Sequence, residues 1–144
     1  GAWGGATEQW LDATGTVMGR LASIAAQKLL AGYEVNIYNA ENAVITGSED
    51  DIVATYYARL QYRAKGDPEF KPKYYRTPDK ILKTATRKML PHNKPRGMEA
   101  ERRLKVYNKN LENVKLVSYD VAKIKKGIRY ISLEKLCQKL GAKW

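Results

Sequence analysis

The chain has 144 residues, 44% of them hydrophobic, with one cysteine, one histidine and a formal net charge of +11. This length and apolar content suit a single domain over 1–144 with one real core. One cysteine excludes an internal disulfide, one histidine leaves too few soft ligands for a zinc site, and no stretch approaches the roughly 20 apolar residues of a membrane span.

The first ten residues have neither a basic start nor an apolar core, so a cytosolic protein without a secretory leader is the expectation. Residues 10–13 form a short strand candidate, Thr14-Gly15-Thr16 a turn, and 17–30 a helical pattern. In that helix Met18, Leu21, Ala22, Ala25 and Leu29 recur at three- and four-residue spacing. Gly32 closes the helix. Residues 34–39 alternate as a strand should, and 43–46 add a second apolar run. Strand, helix, strand in this order predicts parallel pairing through a crossover. Ser48, followed by Glu49, Asp50 and Asp51, starts a helix to about residue 62, with Ile52, Val53, Tyr56 and Leu60 facing inward.

From 63 to 76 the periodicity fails. Gly66, Pro68 and Pro72 break any helix, and Lys65, Lys71, Lys73 and Arg76 alternate with Phe70, Tyr74 and Tyr75, which reads as an exposed basic loop. Thr77-Pro78-Asp79 restarts a helix with cap, N1 proline and first-turn acid in favoured positions. There Ile81, Leu82, Ala85 and Met89 are expected to face in. Residues 90–97 form a connector stiffened by Pro91 and Pro95, and 98–107 read as a short helix. Residues 114–119 read as a strand or an extended segment and 128–131 as a strand. Ser132 then caps a last helix with its apolar stripe at Leu133, Leu136, Cys137 and Leu140.

Charge is concentrated along this path. Residues 59–105 hold 15 Lys/Arg against 5 Asp/Glu, whereas 1–58 hold 2 against 7. A local excess of this size draws in polyanions, phosphate backbones above all. Tyrosine and phenylalanine are interleaved with the cations, and ten tyrosines against one phenylalanine suit surfaces where a ring packs and its hydroxyl meets a phosphate or ribose. The RNA-binding candidates are therefore Arg59, Arg63, Lys65, Lys71, Lys73, Tyr74, Arg76, Lys80, Lys83, Arg87, Lys88, His92, Lys94, Arg96, Arg102 and Arg103, joined by Arg20.

Catalytic candidates are poor. The turn Gly15-Thr16-Val17-Met18-Gly19-Arg20 sits where an α/β protein would bind phosphate, but it lacks the third glycine of a dinucleotide fingerprint and the Lys-Ser/Thr pair of a P-loop. The plainer reading is that Gly15 makes the turn and Gly19 lets the helix approach the sheet. No Ser/His/Asp set can be drawn with one histidine, and His92 between prolines suits hydrogen bonding or RNA stacking better than base catalysis. Cys137 reads as a small core residue.

Specific residues also resemble a family. Leu11-Asp12-Ala13-Thr14-Gly15, Met18-Gly19-Arg20-Leu21-Ala22-Ser23, Asn39-Ala40-Glu41, Met89-Leu90-Pro91-His92-Asn93-Lys94-Pro95-Arg96-Gly97 and Arg103-Leu104-Lys105-Val106-Tyr107 are together similar to the L13 ribosomal proteins of the large subunit, in their archaeal form. The likeness covers about 10–108. It departs from the family pattern at Lys88, at Glu101 where an apolar residue is usual, and at Asn108-Lys109-Asn110 in place of a glycine turn. The resemblance implies an α/β fold, a three-layer α/β/α sandwich with a four-stranded mostly parallel sheet and basic extensions. It implies no catalysis and no cofactor, with large-subunit rRNA and neighbouring large-subunit ribosomal proteins as partners and no small-molecule substrate. Two rival classes are a nucleotide-dependent enzyme using the 15–20 turn and a free-standing regulatory RNA-binding module.

Overall fold

The computed structural model describes residues 7–63, 76–91 and 93–144, without the side chains of Tyr62 and Arg63. The chain runs β1 (Glu8–Asp12), α1 (Met18–Leu30), β2 (Glu34–Tyr38), β3 (Val44–Thr46), α2 (Glu49–Arg63), α3 (Pro78–Arg87), α4 (Pro95–Arg102), β4 (Leu104–Val106), β5 (Tyr130–Ser132) and α5 (Leu133–Lys139). Short 3₁₀ turns lie at Ala40–Asn42 and Asp120–Ala122.

The opening β-α-β unit forms as its pattern predicts. β1 pairs with β2 in parallel, Leu11 opposite Ile37, and β2 pairs with β4 in parallel, Ile37 opposite Val106. Leu21, Ala22, Ala25 and Leu29 on α1 are fully buried, as are Leu11, Val35 and Ile37. Asn36 on the other face of β2 is also buried, so the central strand is covered on both sides at its middle.

Among the described residues the expected four-stranded sheet is not what forms. The parallel sheet has three strands in the order β1-β2-β4, and β3 and β5 make a separate antiparallel pair, Ile45 opposite Ile131. Chain length gives the reason for β3: only 39–43 separate it from β2, and a parallel neighbour needs a crossover of roughly a dozen residues or more. In the 114–119 segment Val117 alone meets β1. Its N–H donates to Trp10 O at 2.8 Å and its carbonyl accepts from Asp12 N–H at 2.9 Å. The chain then leaves for the Asp120–Ala122 turn.

The Gly15 turn is held by main-chain bonds. Gly15 N–H donates to Asn42 O (2.9 Å), Thr16 N–H to Ala13 O (3.0 Å) and Val17 N–H to Ala122 O (2.7 Å). Gly15 has φ +67°, a backbone conformation that favours glycine. Gly19 corrects the sequence reading: it is exposed, and a Cβ there would meet nothing within 4 Å, so it makes no close approach to the sheet.

Three further readings change. Met89 is 45% exposed and Leu90 is buried instead, because α3 ends at Arg87 and its spacing no longer governs the next residues. The helix expected over 98–107 begins earlier, with Pro95 at its first position, and stops at Arg102, after which 104–106 extend to join the sheet. Thr77 holds the N-cap position of α3 with extended backbone but makes no side-chain cap bond. That bond comes from across the fold, where Asn108 Oδ1 accepts from Asp79 N–H at 2.8 Å. The last helix keeps its reading: Ser132 Oγ accepts from Lys135 N–H at 3.1 Å, and Leu133, Leu136, Cys137 and Leu140 are buried.

Candidate nucleic-acid interface

α3 and α4 carry most of the described candidates. The helical period puts Ile81, Leu82 and Thr86 of α3 into the core and leaves Lys80 and Lys83 exposed with Arg87 beside them, at i, i+3 and i+7. Lys88 is exposed at the C-cap of α3, Lys94 at the N-cap of α4, and Arg96 and Arg102 on α4. Two adjoining clefts open between the helices. One, of about 320 Å³, is lined by Lys80, Lys83, Thr84, Arg87 and Glu101; the other, of about 360 Å³, by Lys83, Met98, Glu101, Arg102 and Leu104.

The segment joining the two helices is tightly built. Gly97 is buried in α4, and a Cβ there would stand 2.0 Å from the Pro91 carbonyl oxygen, so only glycine lets α4 close over the connector. Lys94 N–H donates to Pro91 O at 3.1 Å. Across the helices Arg87 Nη1 lies 3.8 Å from Glu101 Oε1. These contacts fix Lys88, Lys94 and Arg96 on short stretches of ordered backbone.

Other candidates fall elsewhere. Arg76 is exposed just before α3. Arg20 is exposed in the first turn of α1, and Arg59 is exposed on α2 with its guanidinium 5.0 Å from the Tyr56 ring centroid. Arg103 is turned inward: Nη2 donates to Leu29 O at 2.7 Å, satisfying a carbonyl in the last turn of α1, and Nη1 lies 3.8 Å from Glu99. Arg63 ends α2, while its side chain and the candidates Lys65, Lys71, Lys73, Tyr74 and His92 lie outside the described residues.

Electrostatics separates this face from the rest of the fold. On the α2–α5 side Glu49 meets Lys139 at 2.9 Å and Lys135 at 3.1 Å, which cancels charge locally and holds the Glu49 carboxyl below its ordinary value. Asp12 is structural. Burial would raise its carboxyl, but hydrogen bonds from Thr14 (3.0 Å) and Asn39 (3.1 Å), with Lys123 nearby, outweigh that and hold it low. Sequence reasoning did not nominate Thr84 or Glu101 for the clefts. Their only signal was spacing, four residues from Lys80 for Thr84 and eighteen from Lys83 for Glu101, which acquires meaning once α4 lies beside α3.

In the 15–20 turn the N–H groups of Gly15, Thr16 and Val17 already donate within the fold, so these three are not open to a phosphate. Among the described residues no His/Cys/Asp/Glu group could hold a metal, and no helix is long and apolar enough to cross a membrane.

The family model for Ribosomal protein L13 matches residues 7–113, from β1 through the turn that caps α3. The chain belongs to the ribosomal protein L13 family. Its relatives run along nearly its whole length. The large ribosomal subunit protein uL13 of Methanocaldococcus jannaschii is 43% identical over 93% of this chain and 98% of its own. The uL13 proteins of Methanosarcina barkeri, 39% identical over 93% and 98%, and of Aeropyrum pernix, 38% identical over 99% and 95%, are similar. An L13 protein is a structural ribosomal protein and not an enzyme. In L13 terms the β1–Gly15 motif and the Asn39 turn are adjacent parts of one structure, joined by Asp12, and the second long motif builds the α3–α4 connector.

Proposed function

We propose that this chain is a structural constituent of the large ribosomal subunit in the cytoplasm, where it binds and stabilises folded large-subunit rRNA beside neighbouring large-subunit proteins. The α3–α4 face is the proposed contact, within the basic arm of residues 59–105. The observation that carries this reading is the run of exposed Lys80, Lys83, Lys88, Lys94, Arg96 and Arg102 across two adjoining helices and their clefts. Affinity comes mainly from cation contacts to phosphate, and specificity from fit to RNA shape. The Pro91–Gly97 packing holds the cations in place beforehand, so they lose less freedom on binding than the same groups on a loose tail.

Reversing Lys88, Lys94 and Arg96 together to Glu tests the proposal. Arg87 is left intact, since a glutamate there would face Glu101. The expected result is loss of rRNA binding and of co-sedimentation with large subunits through a high-salt wash, with unchanged circular dichroism. The control reverses the exposed Lys115, Lys125 and Lys126, an equal charge change away from α3 and α4. Equal loss in both variants would mean that net charge alone governs binding, and the assignment to this face would fail.

A further inference from the structure

Glu101 is an acid set into a surface otherwise suited to anions. It lines both clefts and is the one carboxylate, among the described residues, that lines either. Lysine and arginine side chains only donate hydrogen bonds, whereas an ionised carboxylate only accepts them. Glu101 Oε1 stands 3.8 Å from Arg87 Nη1, beyond hydrogen-bond length, and its side chain is 34% exposed. Its accepting capacity therefore faces the clefts. The other acid of α4, Glu99, differs: it sits within 3.6 Å of Arg102 and 3.8 Å of Arg103 and lines neither cleft.

The chemistry of the ligand narrows what Glu101 can meet. Phosphate oxygens accept and so are served by Lys80, Lys83 and Arg102. A nucleic-acid backbone carries a hydrogen-bond donor only in RNA, at the ribose 2′-hydroxyl. A carboxylate placed among phosphate-binding cations repels phosphate, so its position is productive only where a donor lies between phosphates. Lys83 borders both clefts, on either side of which a strand could place successive phosphates. We infer that the paired clefts grip one RNA strand by its phosphates while Glu101 accepts a hydrogen bond from the 2′-hydroxyl between them. This deepens the RNA-binding reading above and rests on it.

The test uses the full chain, transcripts of large-subunit rRNA fragments, and the same transcripts made with 2′-fluoro pyrimidines. Fluorine at the 2′ position preserves A-form geometry but cannot donate. The wild type should bind the 2′-hydroxyl transcript about ten-fold more tightly than the 2′-fluoro one, the size expected for a hydrogen bond to a charged group at a partly exposed site. E101A should bind both transcripts alike, with circular dichroism unchanged. E101Q, whose amide oxygen still accepts, should retain most of the preference. If E101A keeps the wild-type ratio, or the wild type shows none, Glu101 reads no 2′-hydroxyl and the inference is overturned while rRNA binding stands. A wild type that binds neither transcript overturns both readings.

Discussion

Asn108 caps a helix that begins 30 residues earlier: its Oδ1 accepts the Asp79 N–H at 2.8 Å. The turn after β4 thus closes the N-terminus of α3, the helix that carries Lys80, Lys83 and Arg87. Asn108→Ala should lower stability by about 1 kcal/mol, the usual worth of an N-terminal cap, whereas Thr77→Ala should cost less because its hydroxyl makes no cap bond. Urea denaturation of the two variants checks the order. A larger loss at Thr77 would return the cap to the residue that sequence rules assign.

Gly97 and Gly19 should respond oppositely to alanine. At Gly97 the new Cβ would stand 2.0 Å from the Pro91 carbonyl oxygen, so backbone must shift, and a loss of roughly 2 kcal/mol or more is expected from such overpacking. At Gly19 the space is open and the residue is helical, so alanine should be neutral or raise stability by up to about 1 kcal/mol through helix propensity. Thermal melts of both variants decide the matter. A severe loss at Gly19 would restore the close helix–sheet contact that its place in the motif suggests.

The Glu49 contacts predict a weak acid limb. Hydrogen bonds from Lys139 and Lys135 depress its carboxyl in the folded state below its ordinary value. The folded protein therefore holds this proton less tightly than the unfolded chain. The stabilisation is present above the unfolded value and is lost as pH falls through the folded one. On going from pH 6 to pH 3 the wild type should lose its melting-temperature advantage over Glu49→Gln. Added salt at pH 6 should narrow the same gap, because the pair is exposed. A gap independent of both pH and salt would show that packing, not charge, joins α2 to α5 here.

Cys137 should be inert in the native state. It is fully buried on α5, and desolvation, with the nearby Asp79 charge, pushes its thiol up to about 12. Little thiolate forms at neutral pH, and thiolate is the reactive species. A thiol reagent should label the protein only on unfolding, so labelling in denaturant should follow the unfolding transition. Rapid native labelling would indicate local opening of α5.

Much of the fold was legible because it depends on local spacing. The α1 stripe, the parallel β1-α1-β2 unit and the Ser132-capped α5 follow from residues three, four or two apart, and those distances are set by helix and strand geometry itself. The charge excess of 59–105 and the family motifs are likewise written in the chain, and they nominate candidates across that whole segment, of which α3, α4 and their caps carry most of those described.

Tertiary structure decided what depends on neighbours distant in sequence. Gly97, not Gly19, proved to be the glycine that permits close approach, because only the folded connector brings the Pro91 carbonyl against α4. β3 turned to β5 because its link to β2 is too short for a crossover, and 86 residues separate Val44 from its partner strand's start at Tyr130. Arg103, one cation among fifteen in the basic segment, was drawn to the Leu29 carbonyl 74 residues away, while Glu101 came to lie in both clefts. A charged residue's type fixes what it can bind, but whether it faces a helix end, a carboxylate or solvent is set by packing among elements that sequence spacing does not relate.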